Sequence, residues 1–163
     1  MQSDTEAIIL RPSLQDIFSL PPLFTQAVHT DFSFYNEPVK QRIMKKNSLL
    51  RLFFARLRKR RVLLVAKISD KCVGVVIGSH TASIGNIHWL FVLPEYRGNK
   101  IGSALLARAE AALEKFGCHK VALTTEIAPE FYKKLGYTVE GFLKKHWWKK
   151  DFTILSKSFE KIG

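Results

Sequence analysis

The sequence predicts a single α/β domain over residues 1–163, a mixed sheet with helices in the order β-α-α-β-β-β-α-β-α-β-β. Three observations predict it. Segments whose apolar residues recur every second position alternate with segments of helical period, as α/β architectures require. A chain of 163 residues buries a real core but is short for two of them. Its 47% apolar and 25% charged residues place it among globular rather than disordered chains.

The opening strand is Ala7-Ile8-Ile9-Leu10, closed by Pro12. Ser13 caps a helix start, and Asp16 three residues on supplies the second half of a capping box. Pro21-Pro22 is expected to interrupt that helix, with a mixed helical stretch through Phe24–His29 and an aromatic-rich loop over Asp31–Pro38. The next helix covers Val39–Arg58, where Ile43, Leu50, Phe53, Phe54 and Leu57 recur near the helical period and basic residues fill the other face. Strands then take over. Val62–Ile68 and Cys72–His80 flank the turn Ser69-Asp70-Lys71 as a hairpin, and Ile84–Val92 is a third strand, ended by Pro94. Ile101–Phe116 is a helix with Leu105, Leu106, Ala109, Leu113 and Phe116 on one face and Gly117 as its stop. Lys120–Thr125 is a strand, Pro129–Leu135 a short helix ended by Gly136, Thr138–Leu143 a strand and Phe152–Phe159 the last strand.

Several functional classes fall away on composition. The longest apolar runs, such as Val62–Ala66, fall far short of the ~20 residues a membrane helix needs. The start, Met1-Gln2-Ser3-Asp4-Thr5-Glu6, is polar and acidic, without the features of an export signal, so a cytoplasmic protein off the membrane is expected. Cys72 and Cys118 are too few for a disulfide framework and read as reduced core residues. His29, His80, His119 and His146 have no partner at ligand spacing, so no metal is expected.

The net charge of +12 is uneven. Lys40–Lys67 holds eleven Lys and Arg and no acidic residue, peaking at Arg56-Leu57-Arg58-Lys59-Arg60-Arg61, and a second cluster surrounds Trp147-Trp148 between Lys144 and Lys150. Such a field attracts nucleic acid, acidic surfaces or a phosphorylated cofactor, and a solvated helix face is the plainer reading.

The chemistry-bearing segment runs from Leu90 to Leu106, through Arg97-Gly98-Asn99-Lys100-Ile101-Gly102. A strand ends, a tight turn follows, and a helix begins at once. That arrangement aims backbone N–H groups and the positive end of a helix dipole at one spot, an anion site suited to pyrophosphate. It is neither a Walker loop nor a dinucleotide GxGxxG. On spacing alone, an ordinary strand–turn–helix junction explains it equally well.

This segment resembles the cofactor motif of the GNAT acetyltransferases, Gln/Arg-x-x-Gly-x-Gly/Ala, after a strand ending Val-x-Pro-x-Tyr-Arg-Gly. Ala128-Pro129-Glu130-Phe131-Tyr132-Lys133-Lys134-Leu135-Gly136-Tyr137 is similar to a second run of the same family, in the right order and spacing. The resemblance implies a GNAT fold and direct transfer of an acetyl group from acetyl-CoA, as co-substrate, to a primary amine of a small molecule, peptide or protein. It implies that Arg97, Gly98, Asn99, Lys100, Ile101, Gly102 and Ser103 hold the pyrophosphate. It also implies that Leu90, Phe91 and Val92 splay from the next strand and pair with the pantetheine, and that Tyr132 lies near the thioester sulfur. Two residues depart from the pattern. Lys100 replaces the usual middle glycine, where a positive φ is costly. Thr125 stands where an asparagine often binds the cofactor arm, offering a hydroxyl instead.

An ammonium acceptor must lose a proton before it attacks. Strand alternation puts Asn86, His88, Leu90 and Val92 on one face, and some family members carry a histidine base at the position matching His88. Glu126 is the second candidate and water the third. A different class of reading is a basic GNAT-like module that docks on RNA or an acidic protein without catalysis, with Trp147-Trp148 stacking on bases or else walling an acceptor pocket. The chain is read as a monomer or homodimer. Its charge disfavours polyamine acceptors.

Overall fold

The computed structural model describes residues 6–58 and 61–159, which leaves Lys59 and Arg60 of the basic peak outside the described residues. Seven strands and five helices follow one another as β1 (Ile8–Leu10), α1 (Leu14–Asp31), α2 (Glu37–Lys46), α3 (Leu49–Leu57), β2 (Arg61–Ile68), β3 (Lys71–Thr81), β4 (Ile84–Val92), α4 (Ile101–Lys115), β5 (Lys120–Thr125), α5 (Pro129–Lys134), β6 (Thr138–Leu143) and β7 (Phe152–Ser158). Short 3-10 turns lie at Pro94–Tyr96 and Trp147–Lys149. The strands form one mixed sheet in the order β1-β2-β3-β4-β5-β7-β6, in which only β4 and β5 run parallel. No described helix is long and apolar enough to cross a membrane.

Helices cover both faces of the sheet. Gly74 and Gly85 let α4 come close: a Cβ on Gly74 would lie 2.9 Å from Leu105 and one on Gly85 2.8 Å from Leu113. Ile77 lies three residues from Gly74 and so faces the other side of β3, together with its cross-strand partner Trp89. There Trp89 meets Phe24 of α1, with ring centroids 5.2 Å apart. Buried side chains of α1, α4 and strands β2, β3, β4, β5 and β7 join in one apolar cluster. Two buried polar nodes tie elements together. Asp16 receives the Ser13 backbone N–H at 2.8 Å and pairs with Lys67 of β2 at 3.0 Å. Glu110 of α4 accepts from Tyr137 at 2.8 Å and from Lys157 of β7 at 2.7 Å.

The structure corrects four expectations. First, Pro21-Pro22 do not interrupt the first helix; α1 runs unbroken for 18 residues. An interior proline costs about 3 kcal/mol, but fully burying side chains such as Ile17, Leu20, Leu23 and Phe24 contributes roughly 1.5–3 kcal/mol each and outweighs it. Second, Val39–Arg58 is two helices, which adds one element to the expected order. Asn47 ends α2, its side-chain amide donating to Ile43 O at 3.1 Å, and Ser48 is extended before α3. The break shifts the helical phase. Leu52 and Ala55 turn inward, while Leu50, Phe53, Phe54 and Leu57 are exposed, Leu50 at 66%. Third, Phe116 lies past the end of α4, is 44% exposed and stacks on His80. Fourth, β4 carries a bulge: Ile77 pairs with Trp89 and Gly78 with Ile87, so His88 is the extra residue. Alternation breaks there. Val92 packs near Gly74 on the α4 side, whereas His88 reaches Ser79 on the opposite face and so does not share a face with Leu90 and Val92.

Candidate active site

The parallel ladder between β4 and β5 is short. It runs from Ile84↔Lys120 to Ile87↔Leu123 and stops, although β4 continues to Val92 and β5 to Thr125. Past Ile87 the two strands diverge, leaving the β5-facing backbone edge of Leu90, Phe91 and Val92 without a ladder partner on that side. A cleft of about 1570 Å³ opens along the split and extends between the α2–α3 layer, the start of α4 and the turn into α5. Of the residues expected at the site, every one except Asn99 lines this cleft.

At the C-terminal end of β4 the chain builds an anion cradle. Gly98 adopts φ +83° and Lys100 φ +58°, left-handed conformations that fold the turn tightly back toward the helix. No side chain caps α4, and the first helical bond there runs from Ala104 N–H to Lys100 O. The N–H groups of Ile101, Gly102 and Ser103 precede that bond, so the helix itself leaves them available at the positive end of its dipole. A Cβ on Gly102 would meet Phe131 at 3.5 Å and Val92 at 3.7 Å, so glycine keeps the gap between the cradle and α5 open. Two of the expected contacts are used otherwise. Arg97 donates through Nε to Val92 O at 2.9 Å and through Nη2 to both carboxylate oxygens of Asp31 at 2.9 Å, bracing the end of β4 against α1. Asn99 turns its amide back onto Tyr96 O at 3.3 Å and Arg97 O at 3.5 Å, which removes its side chain from the cleft.

Tyr132 stands on α5, its ring held edge-on against Phe131 and Tyr137. Burial pushes its phenol up to about 12, so it carries its proton at neutral pH. Glu126 follows β5 at the mouth of the split. Burial raises its carboxyl above the usual range, opposed by a hydrogen bond from the Tyr35 hydroxyl and by the charge of Lys150. The Thr125 hydroxyl oxygen accepts from Ala128 N–H at 3.4 Å, serving the turn into α5. His88 leans the other way, across β3. Its Nε2 lies 2.5 Å from Ser79 Oγ, and burial together with the charge of Arg61 lowers its pKa. The split therefore gathers Tyr132 and Glu126, while His88 occupies the wall toward β2. Trp148 packs edge-on against Tyr35 and lines the cleft, the geometry of a pocket wall rather than of an outward stacking platform.

Three residues at the site have no role in the sequence reading. Tyr35 belongs to the aromatic loop before α2 and reaches Glu126 across 91 residues; Asp31 anchors Arg97 across 66. Trp89 lines the cleft with its indole N–H buried and without a partner among the described residues. Local pattern carries no signal for such long-range pairings.

The family model of the GNAT acetyltransferase domain matches residues 59–139, which run from β2 to the start of β6 and include the split, the cradle and α5. Solved structures share the fold over nearly the whole chain. The PaiA N-acetyltransferase from Thermoplasma acidophilum, solved in complex with coenzyme A, is 24% identical, with a TM-score of 0.81 over 94% of this chain and 99% of that one. An aminoglycoside 6'-acetyltransferase of type Ii is 20% identical, with a TM-score of 0.74 over 96% and 99%. The ribosomal-protein-S18-alanine N-acetyltransferase from Escherichia coli is 16% identical, with a TM-score of 0.73 over 97% of each chain. Residues 59–139, with the split sheet in place around their motifs, thus form a GNAT acetyltransferase domain, the module of acetyl-CoA-dependent N-acyltransferases.

Proposed function

We propose that this chain transfers the acetyl group of acetyl-CoA directly to a primary amine bound in the cleft. The observation that carries the proposal is the split between β4 and β5 leading straight into the uncapped N-terminus of α4. A free strand edge suits an amide-bearing arm, and unpaired helical N–H groups suit a pyrophosphate. The gap kept open by Gly102 is a further feature that a bound molecule would fill. Leu90, Phe91 and Val92 would hold the arm, and Gly98 with Lys100 to Ser103 the phosphates, while Arg97 positions the end of β4.

Acetyl-CoA supplies an acetyl group already activated as a thioester, so what remains for the protein is positioning and proton movement. Tyr132 keeps a proton at its hydroxyl, since burial pushes it up to about 12, and so can hydrogen-bond to the departing sulfur. Glu126, at the open end of the split, takes the proton from the ammonium. Its partner Tyr35 fixes the orientation of the carboxylate. His88 leans toward β3 and β2, and this geometry favours Glu126 over it as base. Cradle, phenol and carboxylate all come from one chain within a single domain, so chemistry requires no second copy. The reducing cytoplasm suits Cys72 and Cys118, both buried free thiols.

The test is thiol release from acetyl-CoA with a panel of amines, peptides and protein N-termini. Wild-type turnover should rise with pH as Glu126 loses its proton, with a midpoint above the ordinary 4.5. Glu126→Gln should lose most of that turnover and the pH dependence while still binding acetyl-CoA. A fully active Glu126→Gln would remove the carboxylate from the mechanism.

A further inference from the structure

We infer that the amine acceptor itself carries an anionic group, a carboxylate or a phosphate, which docks on Lys46, Arg51, Arg58 and Arg61 at the end of the cleft away from the cradle. The inference rests on acetyl transfer taking place at this cleft and goes on to name the acceptor class.

Strand register separates Arg61 from the phosphate site, and the Arg58 carbonyl beside it accepts the Arg61 backbone N–H. Arg61 pairs with Ser79, and five residues along β3 Gly74 pairs with Val92, where the cradle begins. At ~3.3 Å per residue the two ends lie roughly 16 Å apart along the sheet. The cradle has its own donors in the helix N-terminus and Lys100, so the distant cluster is not needed there.

The charge at this end is uncompensated. None of the four cations forms an ion pair among the described residues. Among the described residues only two acidic side chains line the cleft, and both are engaged: Asp31 by Arg97, Glu126 by Tyr35. Gathering like charges around one cleft is unfavourable until an anion arrives, and the cleft focuses their field. His88, which also lines the cleft, feels it through Arg61. A simple ammonium entering here is repelled. An amine that also bears a carboxylate or phosphate is drawn in with its anion toward the arginines, which leaves its amine free to face the split.

The test compares matched acceptors: O-phosphoethanolamine with ethanolamine, β-alanine with β-alaninamide, and an acidic tripeptide with its amidated form. Thiol release gives kcat/KM, and calorimetry on the CoA-loaded protein gives binding. The anionic member should lead by about tenfold or more, chiefly through KM, and the lead should shrink as salt rises. Which pair shows the largest lead distinguishes phosphate from carboxylate and small molecule from peptide. Arg51→Gln and Arg61→Gln should each reduce the lead severalfold without changing acetyl-CoA affinity. Equal or better use of the neutral members overturns the inference, as does a lead that survives both substitutions and high salt. Acetylation of none of the anionic amines by a protein that binds acetyl-CoA overturns it too. Failure to bind acetyl-CoA at all would strike the transferase reading instead.

Discussion

Replacing Lys100 with glycine should push stability and cofactor affinity in opposite directions. Lys100 is the residue before α4 and sits at φ +58°, ψ 8°, where a side chain costs roughly 1–2 kcal/mol that glycine avoids. Glycine returns about 0.5–1 kcal/mol of that through the greater freedom of its unfolded chain. The substitution also removes a cation from the positive end of the α4 dipole, a repulsion of about 0.3–1 kcal/mol. The sum is a gain of about 1 kcal/mol for Lys100→Gly without ligand, or a rise in Tm of roughly 2–4 °C for a chain of this size. With acetyl-CoA bound the same cation faces the pyrophosphate. Its loss removes one solvent-exposed charge contact, about 1 kcal/mol, and weakens binding about fivefold. Thermal unfolding with and without acetyl-CoA reads both quantities on one preparation. A variant that melts lower in the free state would refute the strain argument. One that melts higher and binds acetyl-CoA as tightly as wild type would show that the lysine charge points away from the phosphates.

Tyr132→Phe keeps the packed ring and deletes the hydroxyl, so turnover should fall by about 10²–10⁴-fold with acetyl-CoA affinity unchanged; full turnover in the folded variant would exclude the phenol. His88→Ala should leave the pH dependence of turnover in place, since the histidine leans toward Ser79, whereas Glu126→Gln should abolish it. The midpoint alone does not separate the two bases, because burial raises the carboxyl and lowers the imidazole toward each other, so the variants decide. Tyr137→Phe removes a buried hydrogen bond to Glu110 and should lower stability by about 1–2 kcal/mol, read as a drop in Tm with activity per folded molecule retained.

The bounds of β4, β5 and β6 follow from apolar alternation between glycine and proline stops, which is local information, and they match the structure to the residue. The cradle is legible for the same reason: Gly98, the turn and the apolar face of α4 are contiguous. What escapes is set by distant contacts. α1 passes through Pro21-Pro22 because the core beneath it holds both halves in line. His88 changes face because β3 and β4 slip by one residue, a register event that β4 alone does not encode. Glu126 is legible as a carboxylate beside the tyrosine helix, but its hydroxyl partner Tyr35 comes from the far end of the chain. The basic stretch is legible as charge, and only the fold brings Arg51 and Arg61 to the lining of one cleft.

Calorimetric titration of acetyl-CoA into wild type and Gly102→Asp reads whether the split and the α4 cradle bind acetyl-CoA. Glycine 102 lines the cleft beside free N–H groups and within 3.5–3.7 Å of Phe131 and Val92 as judged by an added Cβ, so the aspartate brings a negative charge into the phosphate position. Wild type should bind saturably at one site per chain, and a Gly102→Asp variant whose free Tm is nearly unchanged should not bind. Equal binding by the two proteins, or none by wild type, would contradict binding at the cradle.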